Sequence, residues 1–322
     1  YEALTVNPFD LNEMSNVIFN AINMPDKEQI KRNKSMQARL SRYTVDYWAN
    51  DFMKNLISRG KSNLKSITNI FDISERNKLI DKLKLSSKKL IILDYDGTLV
   101  NFKDNPELAI PDDNLIEILN NLTSIKGLDV AIVSGRDKIF LEDNLGELDL
   151  TLIAEHGHFY KKKNKNWRDL GIIDNGFLDE IYSILQSFSD KTPGTFTEKK
   201  ESGLVWHFRK SDPELAIERV VEIETVLNSL LTDQFQILNL NKAIEITSRK
   251  FDKGSAVDQL RKNKNYDHIL CIGDDVTDEN MFKSLDKNST SIKVGTKNTI
   301  AKFYIKDTKG VIDLLSELIN RL

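Results

Sequence analysis

From residue 88 onward the chain alternates short, largely apolar runs with longer stretches whose apolar positions recur every three to four residues. Residues 90–93, 128–133, 150–154, 268–272 and 291–294 are the apolar runs, each too short for a helix. Such runs read as strands buried on both faces. Stretches of helical period cover 112–122, 254–261 and 311–322. Strands and helices in alternation predict a parallel sheet with helices on both sides. Residues 177–248 break the rhythm. A helix over 177–188 leads to a hairpin of 195–201 and 204–209 around Ser202-Gly203. Asp212-Pro213 then opens a helix running to about residue 231, with proline at the first helical position, and 235–240 with 242–247 make a second hairpin. The order αββαββ predicts an antiparallel sheet backed by two helices, inserted into the parallel-sheet domain.

Upstream the pattern is sparser. Residues 3–6 read as a strand closed by Asn7-Pro8, and Asp10-Leu11-Asn12-Glu13 has the form of a capping box. A helix follows to Asn20, Met24-Pro25 breaks it, and a charged amphipathic helix spans 26–56, burying Tyr43, Tyr47, Trp48 and Phe52 as an aromatic stripe. Residues 58–69, rich in Ser, Lys and Asn, read as a linker. This is too little for a domain, and the chain opens on Tyr1 without a Met, so it is expected to be the tail of something upstream. The expected organisation is therefore a mostly helical remnant and linker at 1–75, an α/β core at 76–157 and 249–322, and an α+β cap at 158–248.

Composition narrows the possibilities. The 322 residues carry 46 Lys and Arg against 49 Asp and Glu, a net charge of −3, which argues against a general nucleic-acid binder. The run Lys161-Lys162-Lys163-Asn164-Lys165 reads as a solvated loop tip. No apolar run approaches the roughly 20 residues that span a bilayer. The single cysteine, Cys271, falls in an apolar strand and excludes an internal disulfide framework. The setting expected is cytoplasmic, with no membrane and no nucleic-acid partner.

Four polar stretches carry candidate chemistry. Asp94-Tyr95-Asp96-Gly97-Thr98-Leu99 and Ser134-Gly135-Arg136 follow buried strands, Lys253 precedes a helix, and Gly273-Asp274-Asp275-Val276-Thr277-Asp278 follows another strand. In open α/β sheets ligands bind outside the carboxyl ends of the strands, so these groups can converge on one sheet edge. Clustered carboxylates repel one another unless a cation is present, and hard oxygen donors suit Mg²⁺. In the first hairpin, a two-residue turn at Ser202-Gly203 sets Glu198 opposite His207 and puts Glu198, Lys200, His207 and Arg209 on one polar face, with Leu204, Trp206 and Phe208 facing the helices. Glu245 points away from Ile244 and Ile246 in the second hairpin. The four polar residues and Glu245 together read as a polyol-binding face. His156 and Gly157 follow a strand end, near substrate or at the junction of core and cap. Arg136 contacts substrate or pairs with a loop carboxylate.

The four stretches, in this order, resemble the motifs of the haloacid dehalogenase superfamily of phosphohydrolases. The resemblance implies a Rossmann-like core, Asp94 as nucleophile forming an aspartyl phosphate, Asp96 as general acid and base, and Ser134 and Lys253 as phosphate-neutralising groups. It implies a Mg²⁺ site at Asp94, Asp96 and Asp274, with Asp275 close by; Asp278 either joins that site or orients its loop. Ala154-Glu155-His156-Gly157, Glu198-Lys199-Lys200, Trp206-His207-Phe208-Arg209 and Gly273 to Glu279 are similar to the trehalose-6-phosphate phosphatases within that superfamily. That similarity implies that Glu198, Lys200 and Glu245 grip sugar hydroxyls. Ala3 to Asp10, Asn23-Met24-Pro25 and the helix through Trp48 resemble the end of a trehalose-6-phosphate synthase, a two-lobed glycosyltransferase, and imply such a domain upstream. The expected function is Mg²⁺-dependent hydrolysis of trehalose 6-phosphate. The alternatives are a phosphatase of another sugar phosphate, such as sucrose phosphate, and a non-catalytic module of a trehalose-synthesis complex.

Overall fold

The computed structural model describes residues 3–4, 11–42, 68–103, 105–171, 173, 175–262, 264–295 and 298–322. The chain divides into two compact units, residues 1–66 and 67–322. Of the first, helices Leu11–Ile22 and Asp26–Arg42 are described. The strand expected at 3–6, the cap at Asp10 and the aromatic stripe of Tyr43, Tyr47, Trp48 and Phe52 lie outside the described residues.

The second unit is built on a nine-stranded sheet of β1 (Asn69–Ile70), β2 (Lys89–Leu93), β3 (Leu128–Val133), β4 (Thr151–Ala154), β5 (Phe159–Lys162), β6 (Arg168–Asp169), β11 (His268–Gly273), β12 (Thr290–Val294) and β13 (Phe303–Ile305). Their order is β1-β13-β12-β11-β2-β3-β4-β5-β6. The pairs from β1 to β4 are parallel, and β5 and β6 add antiparallel strands at one edge. Side chains alternate between two buried layers, as a strand's period of two requires. Ile91, Leu93, Val130, Ile132, Leu270 and Ile272 face helices Ile73–Leu85, Asp113–Thr123, Lys138–Leu145 and Thr308–Arg321. Leu90, Ile92, Ala131, Val133, Ile269 and Cys271 face helices Lys253–Lys262 and Asp278–Lys283. Aspartates cap several of these helices. Asp137, directly after the Ser134-Gly135-Arg136 stretch, accepts from the Phe140 N–H at 2.8 Å, a bond worth about 1 kcal/mol that also fixes where that loop ends.

The cap is a four-stranded antiparallel sheet of β7 (Phe196–Lys199), β8 (Gly203–His207), β9 (Phe235–Leu240) and β10 (Ala243–Ser248), in the order β7-β8-β10-β9. Helices Asn175–Asp190 and Pro213–Leu230 back it, around a core of Leu185, Leu204, Trp206, Ile223, Leu227, Ile244 and Ile246. The αββαββ order is the expected one.

Four expectations are corrected. β5 and β6 continue the core sheet, because β5 pairs with β4, so the core extends past residue 157. The lysine run is partly strand, and Lys161 is buried against Glu142. At the other end, β1 pairs with β13 and the helix Ile73–Leu85 buries Leu79, Ile80 and Leu83, so residues 69–75 also belong with the core. Lastly, the first hairpin turns at Glu201-Ser202, with the Lys200 N–H donating to Gly203 O at 2.9 Å. Gly203 sits in the strand, where a Cβ would lie 2.4 Å from Ile246 O; close packing on β10 requires the glycine there. The register differs from the expected one by two residues, and an even shift keeps every side chain on its face. Glu198 therefore opposes Val205 rather than His207, yet still shares a face with it. Among the described residues, no helix is long and apolar enough to cross a membrane.

Candidate active site

The carboxyl ends of β2, β3 and β11 open into one cavity of about 730 Å³, roofed by the polar face of the cap sheet. Asp94, Asp96, Ser134, Arg136, His156, Glu198, Lys200, His207, Arg209, Glu245, Lys253 and Asp275 all line it. Gly157 lies behind, where a Cβ would be 2.9 Å from Asp252 O. The four sequence stretches are thus brought together.

At the floor, Lys253 is 97% buried between two carboxylates, 2.6 Å from Asp94 Oδ1 and 2.8 Å from Asp278 Oδ1. Burial alone lowers a lysine, but the charges of Asp278 and Asp94 outweigh it and hold Lys253 above its ordinary range. Asp94 and Asp274 are both pushed up, first by burial and then by neighbouring carboxylates. The Thr98 hydroxyl donates to Asp94 Oδ2 at 3.2 Å and lies 3.5 Å from Asp274 Oδ1. Carboxylate oxygens of Asp94, Asp274 and Asp278 lie within 4.8 Å of one another. Three such groups with one lysine leave excess negative charge in a dry site, and a hard divalent cation is the chemistry that offsets it. Space fits as well. Gly97, at φ +80°, leaves open the position where a Cβ would lie 2.2 Å from Asp274 Oδ2.

Asp278 is thus the third carboxylate of this cluster, and it orients the loop too, since it accepts from the Asp275 N–H at 2.8 Å. The Asp275 carboxylate takes the Val276 N–H at 2.7 Å and stands outside the cluster. So does Asp96, which is gripped by Arg136 through Nε at 2.7 Å and Nη2 at 2.5 Å. Between the two readings of Arg136, the structure has the loop-carboxylate pair. The Arg136 N–H donates to Ser134 Oγ at 3.1 Å, and its Nη1 donates to Pro106 O at 2.8 Å.

The roof is polar and charged. Glu245, 2% exposed, accepts from Lys200 Nζ at 2.9 Å and lies 2.8 Å from His156 Nε2. Burial raises a carboxylate, but His156 and Lys200 overcome it and hold Glu245 well below its ordinary range. Lys200 also donates to Gly135 O at 2.9 Å, joining cap to core. His207 Nε2 is 2.7 Å from Glu198 Oε2 and stacks on Phe196 at 4.5 Å. Arg209 donates to Asn241 O and lies 5.5 Å from the centre of the Phe102 ring. The Thr98 hydroxyl, by bridging two acids, helps hold the loop. Sequence reasoning left one cavity residue without a role. Glu155 lines the same cavity with no periodicity to single it out.

Comparison with known proteins agrees with this geometry. Residues 92–309 match the trehalose-phosphatase family model, and residues 1–58 match glycosyltransferase family 20. A bifunctional trehalose-6-phosphate synthase/phosphatase of Thermoproteus tenax is 36% identical over 98% of this chain and 44% of its own length. A trehalose-phosphatase of Schizosaccharomyces pombe is 31% identical over 98% of this chain and 40% of its own. The chain therefore spans less than half the length of these relatives. The solved C-terminal domain of the C. albicans trehalose-6-phosphate phosphatase superposes with a TM-score of 0.73 at 29% identity, covering 79% of this chain and 99% of that one. With more than half its length matched by the family model and all four motifs meeting in one cavity, this chain belongs to the trehalose-phosphatase family.

Proposed function

We propose that this chain hydrolyses trehalose 6-phosphate to trehalose and inorganic phosphate in the cytoplasm, and that it works beside a glycosyltransferase-like part of a longer protein. One observation carries the reading: a single cavity has the Lys253–Asp94 pair at its floor and Glu198, Lys200 and Glu245 at its roof. A floor of this kind suits a phosphate ester. A roof of fixed donors and acceptors suits a polyol and disfavours analogues that lack its hydroxyls.

Asp94, Asp274 and Asp278 are the groups that would hold Mg²⁺, with Asp96 and Asp275 at the edge of the site. When bound, the ion neutralises phosphoryl oxygens so that an anionic nucleophile can approach. Lys253, the Ser134 hydroxyl and loop N–H groups share that task. A carboxylate oxygen of Asp94 attacks phosphorus, and the bond from phosphorus to the sugar oxygen breaks. The Asp96 carboxyl gives its proton to that oxygen as trehalose leaves. The Asp96 carboxylate then takes a proton from water, whose oxygen attacks phosphorus and cleaves the bond to Asp94. His156, Arg136, His207 and Arg209 surround the path between floor and roof and help orient the sugar phosphate. Closure of the cap over this site excludes bulk water.

The test is phosphate release from a panel of sugar phosphates with Mg²⁺. Trehalose 6-phosphate is expected to be preferred over sucrose phosphate and glucose 6-phosphate. Asp94→Asn is expected to abolish turnover while retaining substrate binding. Full turnover by purified Asp94→Asn would refute the nucleophile, and preference for sucrose phosphate would refute the substrate. A silent protein that binds sugar phosphate with every motif intact would favour the regulatory alternative.

A further inference from the structure

Among the described residues, four hydrogen-bonded or ion-paired contacts bridge core and cap around the cavity. Lys138 meets Glu201, Lys200 meets Gly135 O, His156 meets Glu245, and Glu155 meets Ser202. The first is solvent-exposed, and the next two use groups that face the sugar. The fourth has no role in the chemistry above, yet it is the most unusual. Glu155 is 2% exposed, and its Oε2 accepts both the backbone N–H of Ser202, at 2.7 Å, and the Ser202 hydroxyl. Its Oε1 is buried with no hydrogen-bond partner. Ser202 belongs to the Glu201-Ser202 turn, so the core carboxylate holds the tip of the hairpin that carries Glu198 and Lys200.

The backbone beneath is strained to place that carboxylate. Glu155 and His156 have φ of 47° and 57°, left-handed conformations that side chains with a Cβ disfavour, and Gly157 follows at 116°. This path lets the Glu155 N–H donate to Arg136 O at 2.9 Å and the His156 N–H to Ser134 O at 3.0 Å. Gly157 packs on Asp252, the residue before Lys253. One three-residue run therefore touches the Ser134 loop, the start of the lysine helix and the tip of the cap.

We propose that Glu155 is a positioning residue, the latch that holds the cap closed. The inference rests on the phosphatase reading for its consequence in turnover, but the contact itself is tested without substrate. A buried carboxylate with one oxygen unpartnered is costly, and it is stable here only while Ser202 supplies two donors. When the cap opens, water satisfies both oxygens, so closure exchanges that hydration for the two Ser202 donors. The near balance keeps the latch weak and reversible, which suits a site that must admit and release a disaccharide in each cycle. Closing it sets Lys200 and Glu198 over the phosphate floor.

Hydrogen exchange of the substrate-free protein reads the latch directly. Glu155→Ala and Ser202→Ala are expected to speed exchange of the amides at 202–205, while those of β2 and β11 keep their protection. Charged hydrogen bonds of this type convert to about a tenfold rise in KM for trehalose 6-phosphate in Glu155→Ala, with kcat/KM for p-nitrophenyl phosphate, which has no sugar to be gripped, changed by less than about twofold. Ser202→Ala keeps the backbone N–H bond and is expected to give a smaller rise, and the double variant no more than Glu155→Ala alone, because the hydroxyl bond is part of the contact that Glu155→Ala removes. Unchanged exchange at 202–205 in the mutants overturns the latch, as do additive effects on KM. Should Glu155→Ala fail to fold, Ser202→Ala alone decides by the same exchange. Should the wild type leave trehalose 6-phosphate intact, the phosphatase reading fails and the exchange still judges the latch.

Discussion

Arg136 holds Asp96 with two nitrogens, Nε to Oδ2 at 2.7 Å and Nη2 to Oδ1 at 2.5 Å, in a fork that only a planar guanidinium can make. The same side chain donates to Pro106 O and lies 4.2 Å from the centre of the Phe140 ring, so it is fixed on three sides. The fork therefore fixes the orientation of the Asp96 carboxylate at the edge of the phosphate floor.

This arrangement makes the leaving group diagnostic. A sugar oxygen needs the proton as it departs; p-nitrophenolate does not. Arg136→Lys keeps the charge and loses the fork. It is expected to lower kcat on trehalose 6-phosphate by at least about tenfold, a part of the about 10²–10⁴-fold that acid–base catalysis contributes. The loss on p-nitrophenyl phosphate should be much smaller. Equal losses on both esters would mean that Arg136 serves phosphate binding rather than Asp96.

The acidic floor predicts a trade of stability for function. In the metal-free protein Asp274 is crowded by burial, Asp94 and Asp278. Asp274→Asn removes part of that repulsion and is expected to raise the metal-free Tm by about 2–4 °C, the shift that about 1 kcal/mol gives in a domain of this size. It should also erase the further rise that Mg²⁺ gives the wild type, and with it the activity. Thermal unfolding with EDTA and with Mg²⁺ checks both. A variant that keeps the full Mg²⁺-dependent rise would remove Asp274 from the ion's site.

The strands that carry the site were legible because they are buried on both faces. Residues 90–93, 128–133 and 268–272 are predominantly apolar runs, broken only by Asp129 and the leading His268, and the polar residues after them mark the sheet's carboxyl edge. Edge strands lack that mark. Asn69–Ile70 is two residues long, and β5 carries two lysines, one of which is neutralised by Glu142, a partner 19 residues away. The turn was displaced because Gly203 serves packing on β10, a demand that hairpin preferences do not express. Faces survived that displacement, so the sugar-facing set was legible even where its pairings were not. Glu155 was not legible: its partner is 47 residues away in another layer.

His268, 5% exposed at the start of β11, predicts a pH dependence of stability separate from catalysis. Burial, with Lys82 and Lys302 adding positive charge, lowers its pKa from 6.5 to about 4. The folded state therefore refuses a proton that the unfolded state accepts. This contribution is complete above pH 6.5 and is lost as the pH falls toward 4. Between pH 7 and 4.5 the loss comes to about 2 kcal/mol. His268→Gln can keep a bond to Thr290 Oγ1, which lies 3.1 Å from the histidine Nε2, without titrating. Urea unfolding at the two pH values should show a smaller decline in the variant by that amount. Identical declines would show that His268 is not the group responsible.

Glu198 and Glu245 face the same cavity, but their burial predicts different mutant behaviour. Glu245 is enclosed with Lys200 and His156, and removing it leaves Lys200 buried beside a lost partner. Breaking a buried pair in this way costs about 3–5 kcal/mol, so Glu245→Ala is expected to lower Tm as well as activity. Glu198 is partly open to the cavity and bound to His207. Burial raises it, but the His207 hydrogen bond and Lys200 outweigh that, so it stays ionised as a hydroxyl acceptor at neutral pH. Glu198→Ala should leave Tm nearly unchanged and reduce kcat/KM for trehalose 6-phosphate by about 10–100-fold, the effect of losing one or two hydrogen bonds to a charged group. Its kcat/KM for p-nitrophenyl phosphate should hold. The ratio of the two substrates then separates recognition from folding: a fall on both esters with Tm intact would place Glu198 in the phosphate chemistry, and no fall on either would remove it from the sugar site.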